Sequence, residues 1–276
     1  MTQTTPAPRR AAPLAPRSRP RTSRACVESL ESRQHLSVSQ NDAGFTVVTP
    51  EADSRVIYVS TSGSDLNNGL SPSSPVKSLG KAQTLVRNGM PDQVLLKRGD
   101  KFTGSFGYWK PGGRSADQPM VIGAYGTGAR PQVRSGTANG ITVGNTAARQ
   151  VNNLAILGLE FYSDSRDPVR CTDATRATNP HGIDVVSATQ GLLVEDCRFS
   201  FYQTNVAFVP VYGESRGATL RRNVIVDAYA PYSHSSGLFA DGVRGLTLDQ
   251  NTFDHNGWLD GKSYAKPTMF NHNAYV

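Results

Sequence analysis

The stretch GLTLDQNTFDHNGW, residues 245–258, decides the fold. Apolar side chains alternate at Leu246 and Leu248, the alternation breaks at Asn251, and Phe253 precedes a polar, turn-like tail. Three other segments lie on LTLDQNTF (246–253) without a gap: LAILGLEF (154–161), LLVEDCRF (192–199) and ATLRRNVI (218–225). The third position is then Ile156, Val194, Leu220 and Leu248, the sixth is Leu159, Cys197, Asn223 and Asn251, and the eighth is Phe161, Phe199, Ile225 and Phe253. A pattern that recurs every few tens of residues marks a repeat architecture. Each unit here is two short strands around a bend.

Another short strand precedes each bend unit. Aligning these strands puts Ile141, Ile183, Val206, Leu238 and Ala274 in one inward column and Val143, Val185, Phe208, Ala240 and Val276 in the next. Strand alternation then places Thr142, Asp184, Ala207, Phe239 and Tyr275 on the outer face. The columns recur at intervals of 42, 23, 32 and 36 residues, so a core coil of about 23 residues carries loops of variable length. Such coils stack as a solenoid, each burying its apolar face against its neighbours. Asn223 and Asn251 are expected to stack at one bend, where their amides reach the coils above and below and satisfy turn backbone.

Upstream, RVIYVS from Arg55 alternates like a strand and runs into the turn-rich SGSDLNNGLSPSSP. A helix over 74–88 is predicted, with Ser74 as N-cap, Pro75 at the first helical position, Val76, Leu79, Ala82 and Val86 on one face, and Gly89 as the stop. DQVLLKRGD, QPMVIGAYGTGARPQV and NGITVGN read as short strands between Gly/Pro turns.

IYVSTSGSDLNNGLSPSSPVKSLGKAQTLV, VLLKRGDKFTG, MVIGAYGTGARPQV and the Asn-bend repeats, in that order, resemble the right-handed parallel β-helix proteins of the pectate-lyase-like superfamily (pectin lyase fold) over residues 55–276. The resemblance implies an all-β, right-handed parallel β-helix, a solenoid whose N-terminal amphipathic helix caps the first coil. It says less about activity, because this coil serves lyases, hydrolases, epimerases and non-catalytic adhesins alike.

The formal charge of +7 is concentrated in the leader: the first 25 residues hold six Arg and no acid, leaving about +1 for the other 251. No groove-reading or aromatic pattern accompanies that charge, so a nucleic-acid partner is not expected. No window approaches the ~18 consecutive apolar residues of a membrane span. TPAPRRAAPLAPRSRPRTSR has too little apolar surface to offset the entropy of ordering, and residues 1–54 are expected to be a disordered leader. Within it CVESLESRQHLSVS (26–39) resembles the Leu-Glu-Pro-Arg type element near the N-termini of exported proteins of planctomycete-like bacteria, with Ser32 in the place of Pro. That resemblance implies a secreted or cell-surface protein. Three cysteines are too few for a disulfide scaffold, and two alternatives stay open for Cys171 and Cys197: a pair in an oxidising compartment, or a buried free thiol at the bend position of Cys197.

In polysaccharide-acting members of the family, the substrate lies along the outer face of the strand stack that here holds GIDVV, NVAFV, GLFAD and NAYV. The resemblance therefore nominates His181, Asp184, Asn205, Phe239, Asp241, Asn273 and Tyr275 as substrate-binding residues, with His234 and His272 beside them. Aromatic faces stack on sugar rings, and carboxylates, amides and imidazoles bond hydroxyls or act as acid and base. His255, in DHNGW, reads as a structural turn residue.

NPHGIDV (179–185) is similar to the Asn-Thr-Asp motif of polygalacturonases, but His181 replaces the acid and YQTN (202–205) stands where paired aspartates belong. Two-carboxylate hydrolysis lacks its acid and base. Lyase chemistry needs a base, Lys or Arg in many β-helix lyases, and commonly Ca2+ to neutralise the uronate carboxylate. Arg221, Arg222, Lys262 and Lys266 are available cations, and Asp241, Asp249, Asp254 and Asp260 are acids without the spacing of a calcium site. The resulting expectation is a monomeric polysaccharide-binding β-helix, with a lyase of acidic glycans as the enzymatic reading, and a non-catalytic adhesin and a glycoside hydrolase as alternatives. FNHNAYV stops inside a strand whose inward residues need a further coil, so the chain is expected to be an N-terminal part of a longer product.

Overall fold

The computed structural model describes residues 1–3, 37–145, 150–211 and 213–276. Most of the leader, including Cys26 and nearly all of the export-associated element at 26–39, lies outside the described residues. Among the described residues, no helix is long and apolar enough to cross a membrane.

The repeat closes into a right-handed parallel β-helix with three long sheets. Sheet 1 has six strands: Tyr108–Trp109, Ile141–Val143, His181–Val185, Thr204–Phe208, Ser235–Ala240 and Asn271–Tyr275. Sheet 2 has seven, from Val56–Val59 and Gln93–Lys97 through Met120–Tyr125, Leu154–Leu157, Leu193–Glu195 and Thr219–Arg221 to Thr247–Asp249. Sheet 3 has six, from Lys101–Thr103 and Gln132–Arg134 through Glu160–Tyr162, Arg198–Ser200 and Val224–Val226 to Thr252–Asp254. The registers are those of the aligned repeat. Ile156 pairs with Val194, Val194 with Leu220 and Leu220 with Leu248, while Phe161, Phe199, Ile225 and Phe253 form the matching column of sheet 3. Ile141, Ile183, Val206, Leu238 and Ala274 likewise line up in sheet 1.

These columns are the core. Ile156, Val194, Leu220, Phe161, Phe199 and Ile225 are fully buried, and Phe161 and Phe199 stack with centroids 5.2 Å apart. Along the sheet 2 column burial ends at the last rung, where Leu248 is 41 % exposed, because each inward residue is covered by the coil that follows it.

Between sheets 2 and 3 the chain turns through one residue with left-handed backbone in each of the last four coils: Gly158 (φ 70°), Asp196 (55°), Arg222 (55°) and Gln250 (56°). For a residue with a Cβ this costs about 1–2 kcal/mol, and the next residue offsets it. Asn223 Oδ1 accepts from the Cys197 N–H (2.9 Å), and its Nδ2 donates to Val194 O and to Asn251 Oδ1 (both 2.9 Å). Asn251 Oδ1 also accepts from the Asn223 N–H (3.0 Å), and its Nδ2 donates to Leu220 O (2.8 Å). The expected amide stack is therefore a ladder that closes the corner's backbone. One coil earlier, Cys197 takes the same place with a thiol that is free, buried and pushed up to about 12 by desolvation. Cys171 is also free, so the two do not pair.

The helix is shorter than predicted, Leu79–Leu85, and Ser78, not Ser74, is its N-cap, accepting from the Lys81 N–H (3.1 Å). The predicted first turn is taken by the sheet: Val76 bridges to Val59, its N–H bonding Tyr58 O (2.9 Å). The apolar face itself is as read, because Val76, Leu79 and Ala82 are buried in the core cluster beside Ile57 and Val59.

Order also begins earlier than residue 55. Val38–Gln40 and Thr46–Val48 form an antiparallel hairpin within the expected disordered leader. It is tied to sheet 2 by buried Glu195, which accepts from the Thr46 N–H (3.2 Å) and pairs with Arg221 (3.0 Å). Arg221 also donates to Thr46 Oγ1 (2.7 Å), and Arg222 lies over the Phe45 ring (4.9 Å) and donates to Ala43 O (3.2 Å). Alternation in so short a segment carried no sign of these ties, which reach across some 150 residues of chain.

Asn223→Ala removes a side chain that serves a buried N–H and a buried carbonyl at once. A loss of about 2–4 kcal/mol is expected, read as a lower urea midpoint with unchanged slope. Asn251→Ala, at the partly exposed last rung, is expected to cost less.

Candidate functional site

The outer face of sheet 1 carries two columns. Extending the strand register by two residues aligns Asn139 with His181, and His181, Thr204, Ser236 and His272 continue that column. Tyr108, Thr142, Asp184, Ala207, Phe239 and Tyr275 form the other. With rungs about 4.8 Å apart, His181 and His272 stand about 14 Å from each other.

Small side chains in the middle of both columns, Thr204, Ser236 and Ala207, make a low floor. Above it lies a groove of about 1000 Å³ lined by His181, His234, Phe239, Asp241, Phe270, His272 and Tyr275, among others. Its far wall is aromatic: Phe239 and Tyr275 stack with centroids 5.6 Å apart at 11°, and Phe270 and Tyr275 are about half exposed. The rings of His272 and Tyr275 are 5.1 Å apart, and those of His234 and Phe270 4.6 Å. His234 and Phe270 also border an adjoining cavity of about 570 Å³, which Tyr232, Tyr264 and Lys266 help to line.

At the near wall, Asp184 is held from two sides. Its Oδ1 is 3.0 Å from His181 Nδ1, and its Oδ2 accepts from Asn139 Nδ2 (2.9 Å). Asn139 Oδ1 in turn accepts from the His181 backbone N–H (2.8 Å). His181 Nδ1 is buried, and its approach to Asp184 is close but off the hydrogen-bonding direction.

Five of the seven nominated residues, His181, Asp184, Phe239, Asp241 and Tyr275, lie in or beside this groove. Asn205 and Asn273 do not. The ladder pairing of sheet 1 skips their row, where the strand bends and its side chains turn into the corner. Asn205 is fully buried and donates to Val226 O (2.9 Å) and to Asn256 Oδ1 (3.0 Å), while Asn256 donates to Asn273 Oδ1 (3.0 Å). They belong to a second amide ladder. Gly182 and Gly237 share the row because a Cβ there would meet Asn205 O at 2.4 Å or Asn273 O at 2.5 Å.

The candidate cations divide similarly. Arg221 and Arg222 are hairpin ties on sheet 2 and do not line the groove, whereas Lys266 borders the adjoining cavity. Asp254 and Asp260 flank His255 at 2.8 and 3.2 Å, and no group of three or more potential metal ligands occurs among the described residues. Sequence reading missed Asn139, although carrying each strand of the repeat two residues further back would have placed it under His181.

His255 has left-handed backbone (φ 49°) at the sheet 3 exit, as a turn residue does. The hydrogen bond that His255 donates to the Asp254 carboxylate, helped by the charge of Asp260, raises its pKa. This pair stabilises the fold fully below the ordinary imidazole range, and the contribution is lost as pH rises through the raised native value. An NMR titration is expected to place the His255 midpoint above that of a free histidine, and Asp254→Asn to bring it down.

No protein-family model matches the chain. A lacto-N-biosidase of Bifidobacterium longum subsp. longum is 35% identical over 85 residues, which is 30% of this chain and 5% of that protein. Among solved structures, the pectate lyase Pel9A superposes with a TM-score of 0.54 at 17% identity, over 74% of this chain and 48% of that one. A rhamnogalacturonan lyase matches with a TM-score of 0.44 at 14% identity, over 80% and 62%. The chain thus spans less than two thirds of each of these proteins, and its likeness to the pectate lyase is one of fold.

Proposed function

We propose that the chain is a secreted or surface carbohydrate-active β-helix protein, which binds a polysaccharide across the groove of sheet 1 and cleaves an acidic glycan as a lyase. The observation that carries the binding reading is the groove itself: an aromatic platform of Phe239 and Tyr275, a floor of small residues, and histidines and Asp241 around the rim. Aromatic faces with a few convergent polar groups are what a sugar ring needs. The local sequence match to a lacto-N-biosidase, a protein named for action on a glycan, supports the same class.

The lyase reading draws on the chemistry of the residues present. Two-carboxylate hydrolysis needs an acid and base pair across the bond, and Asp184 is already engaged by His181 and Asn139, which leaves Asp241 alone on the rim. Elimination needs a single base. Lys266 in the adjoining cavity is a cation suited to an acidic sugar. Calcium would help by neutralising a uronate carboxylate, with Asp241 the groove's nearest carboxylate donor.

Tyr275 is exposed, so its truncation leaves the core intact. Tyr275→Ala is expected to weaken oligosaccharide binding about five- to tenfold in calorimetry, and an unchanged affinity would remove the groove assignment. Incubation with uronate polymers, with and without Ca2+, is expected to release product with the ultraviolet absorbance of a conjugated double bond. Binding without any such product would favour the second reading, a non-catalytic surface adhesin.

A further inference from the structure

We propose that His181 is the proton-transfer group of the groove and that Asp184 and Asn139 are its positioning residues. The inference rests on the lyase reading and gives it a base other than the lysine or arginine expected from the sequence.

Three observations carry it. First, the two ring nitrogens of His181 have different surroundings. Nδ1 is buried 3.0 Å from Asp184 Oδ1, close but off the hydrogen-bonding direction, and Nε2 has no carboxylate beside it, in a side chain that lines the groove. A carboxylate on one nitrogen sets the tautomer and leaves the other free to accept a proton. Second, Asp184 is not a loosely solvated strand residue. Its side chain is 15 % exposed, and Asn139 Nδ2 holds the oxygen that faces away from the imidazole. Third, Asn139 bonds the His181 backbone as well as Asp184, and donates to Thr142 Oγ1 (3.1 Å), so the three side chains are fixed on two successive rungs of a rigid sheet. A base oriented by a second group, itself held by a third, is the recurring geometry of acid–base sites. Imperfect alignment of such a pair before substrate binds is common.

The step balances with no further reagent. Nε2 removes the proton from the sugar carbon next to the uronate carboxylate. The electrons of that C–H bond form a C=C bond to the neighbouring carbon, and the glycosidic C–O bond on that neighbour breaks. The imidazolium returns its proton to the departing oxygen, so His181 ends neutral. One residue serves as base and then as acid, which suits a near wall with one imidazole, whose Nδ1 lies against Asp184. The floor residues Thr204 and Ala207 occupy the next rung along the groove, and the Phe239 and Tyr275 platform follows.

Two measurements test this. In kinetics on a uronate oligosaccharide, His181→Gln is expected to lower kcat by about 10²–10⁴-fold with KM and thermal stability little changed. Asp184→Asn and Asn139→Ala are expected to lower kcat by up to about 10²-fold, again with KM preserved. Turnover of His181→Gln within threefold of wild type would overturn the proposal and leave the lyase reading standing. Absence of product from wild type would instead sink the lyase reading, and this proposal with it. The second measurement is independent of turnover: proton–nitrogen NMR of histidine-labelled protein at neutral pH. It is expected to show His181 protonated on Nδ1, with that preference lost in Asp184→Asn. A wild-type proton on Nε2 would overturn the assignment of Asp184 as its orienting group.

Discussion

In a parallel β-helix, every strand must find its hydrogen-bond partners in the coil before and the coil after, because parallel neighbours cannot be joined by a hairpin. The rest of this structure depends on that constraint. It forces the chain through three bends per coil at a constant register, and the bends need backbone that most residues resist. The left-handed positions at Asp196, Arg222 and Gln250 are therefore followed by side chains that close the corner, with the Asn223 and Asn251 ladder the fullest case. Loops of any length leave and return between rungs without disturbing the stack.

Once the register is locked, the outer face is locked with it. Residues far apart in sequence become neighbours at strand spacing, and small side chains on adjacent rungs become a groove because larger ones stand at both ends. Asp184 meets Asn139 in this way across 45 residues of chain. The same logic separates the two faces of the molecule. The hairpin Val38–Val48 lies over sheet 2 through Glu195, Arg221 and Arg222, while sheet 1 carries the groove.

Much of the coil was legible beforehand because stacking leaves a periodic imprint. Ile156, Val194, Leu220 and Leu248 are matched by position alone, and so are Phe161, Phe199, Ile225 and Phe253. The failures share one cause. Ser74 and Pro75 make a good local helix start, but Val76 was worth more to the sheet as a bridge to Val59. Asn205 and Asn273 fall among outward-looking polar residues in the alignment, but a bend in the ladder turns that row inward, where Asn256 joins them. Strict alternation cannot register such a bend.

By itself the sequence determined the repeat, the identity of the inward columns and the amide bend, since these follow from side-chain polarity at fixed spacing along the chain. It also placed Thr142, Asp184, Ala207, Phe239 and Tyr275 in one column on the outer face of the sheet 1 strands. Only the tertiary structure decided which of those residues work together. The His181, Asp184 and Asn139 arrangement, the loss of Asn205 and Asn273 to a corner, and the capture of Arg221 and Arg222 by the hairpin all depend on contacts between distant segments. Such contacts are selected by geometry in three dimensions, and no local period in the chain encodes them.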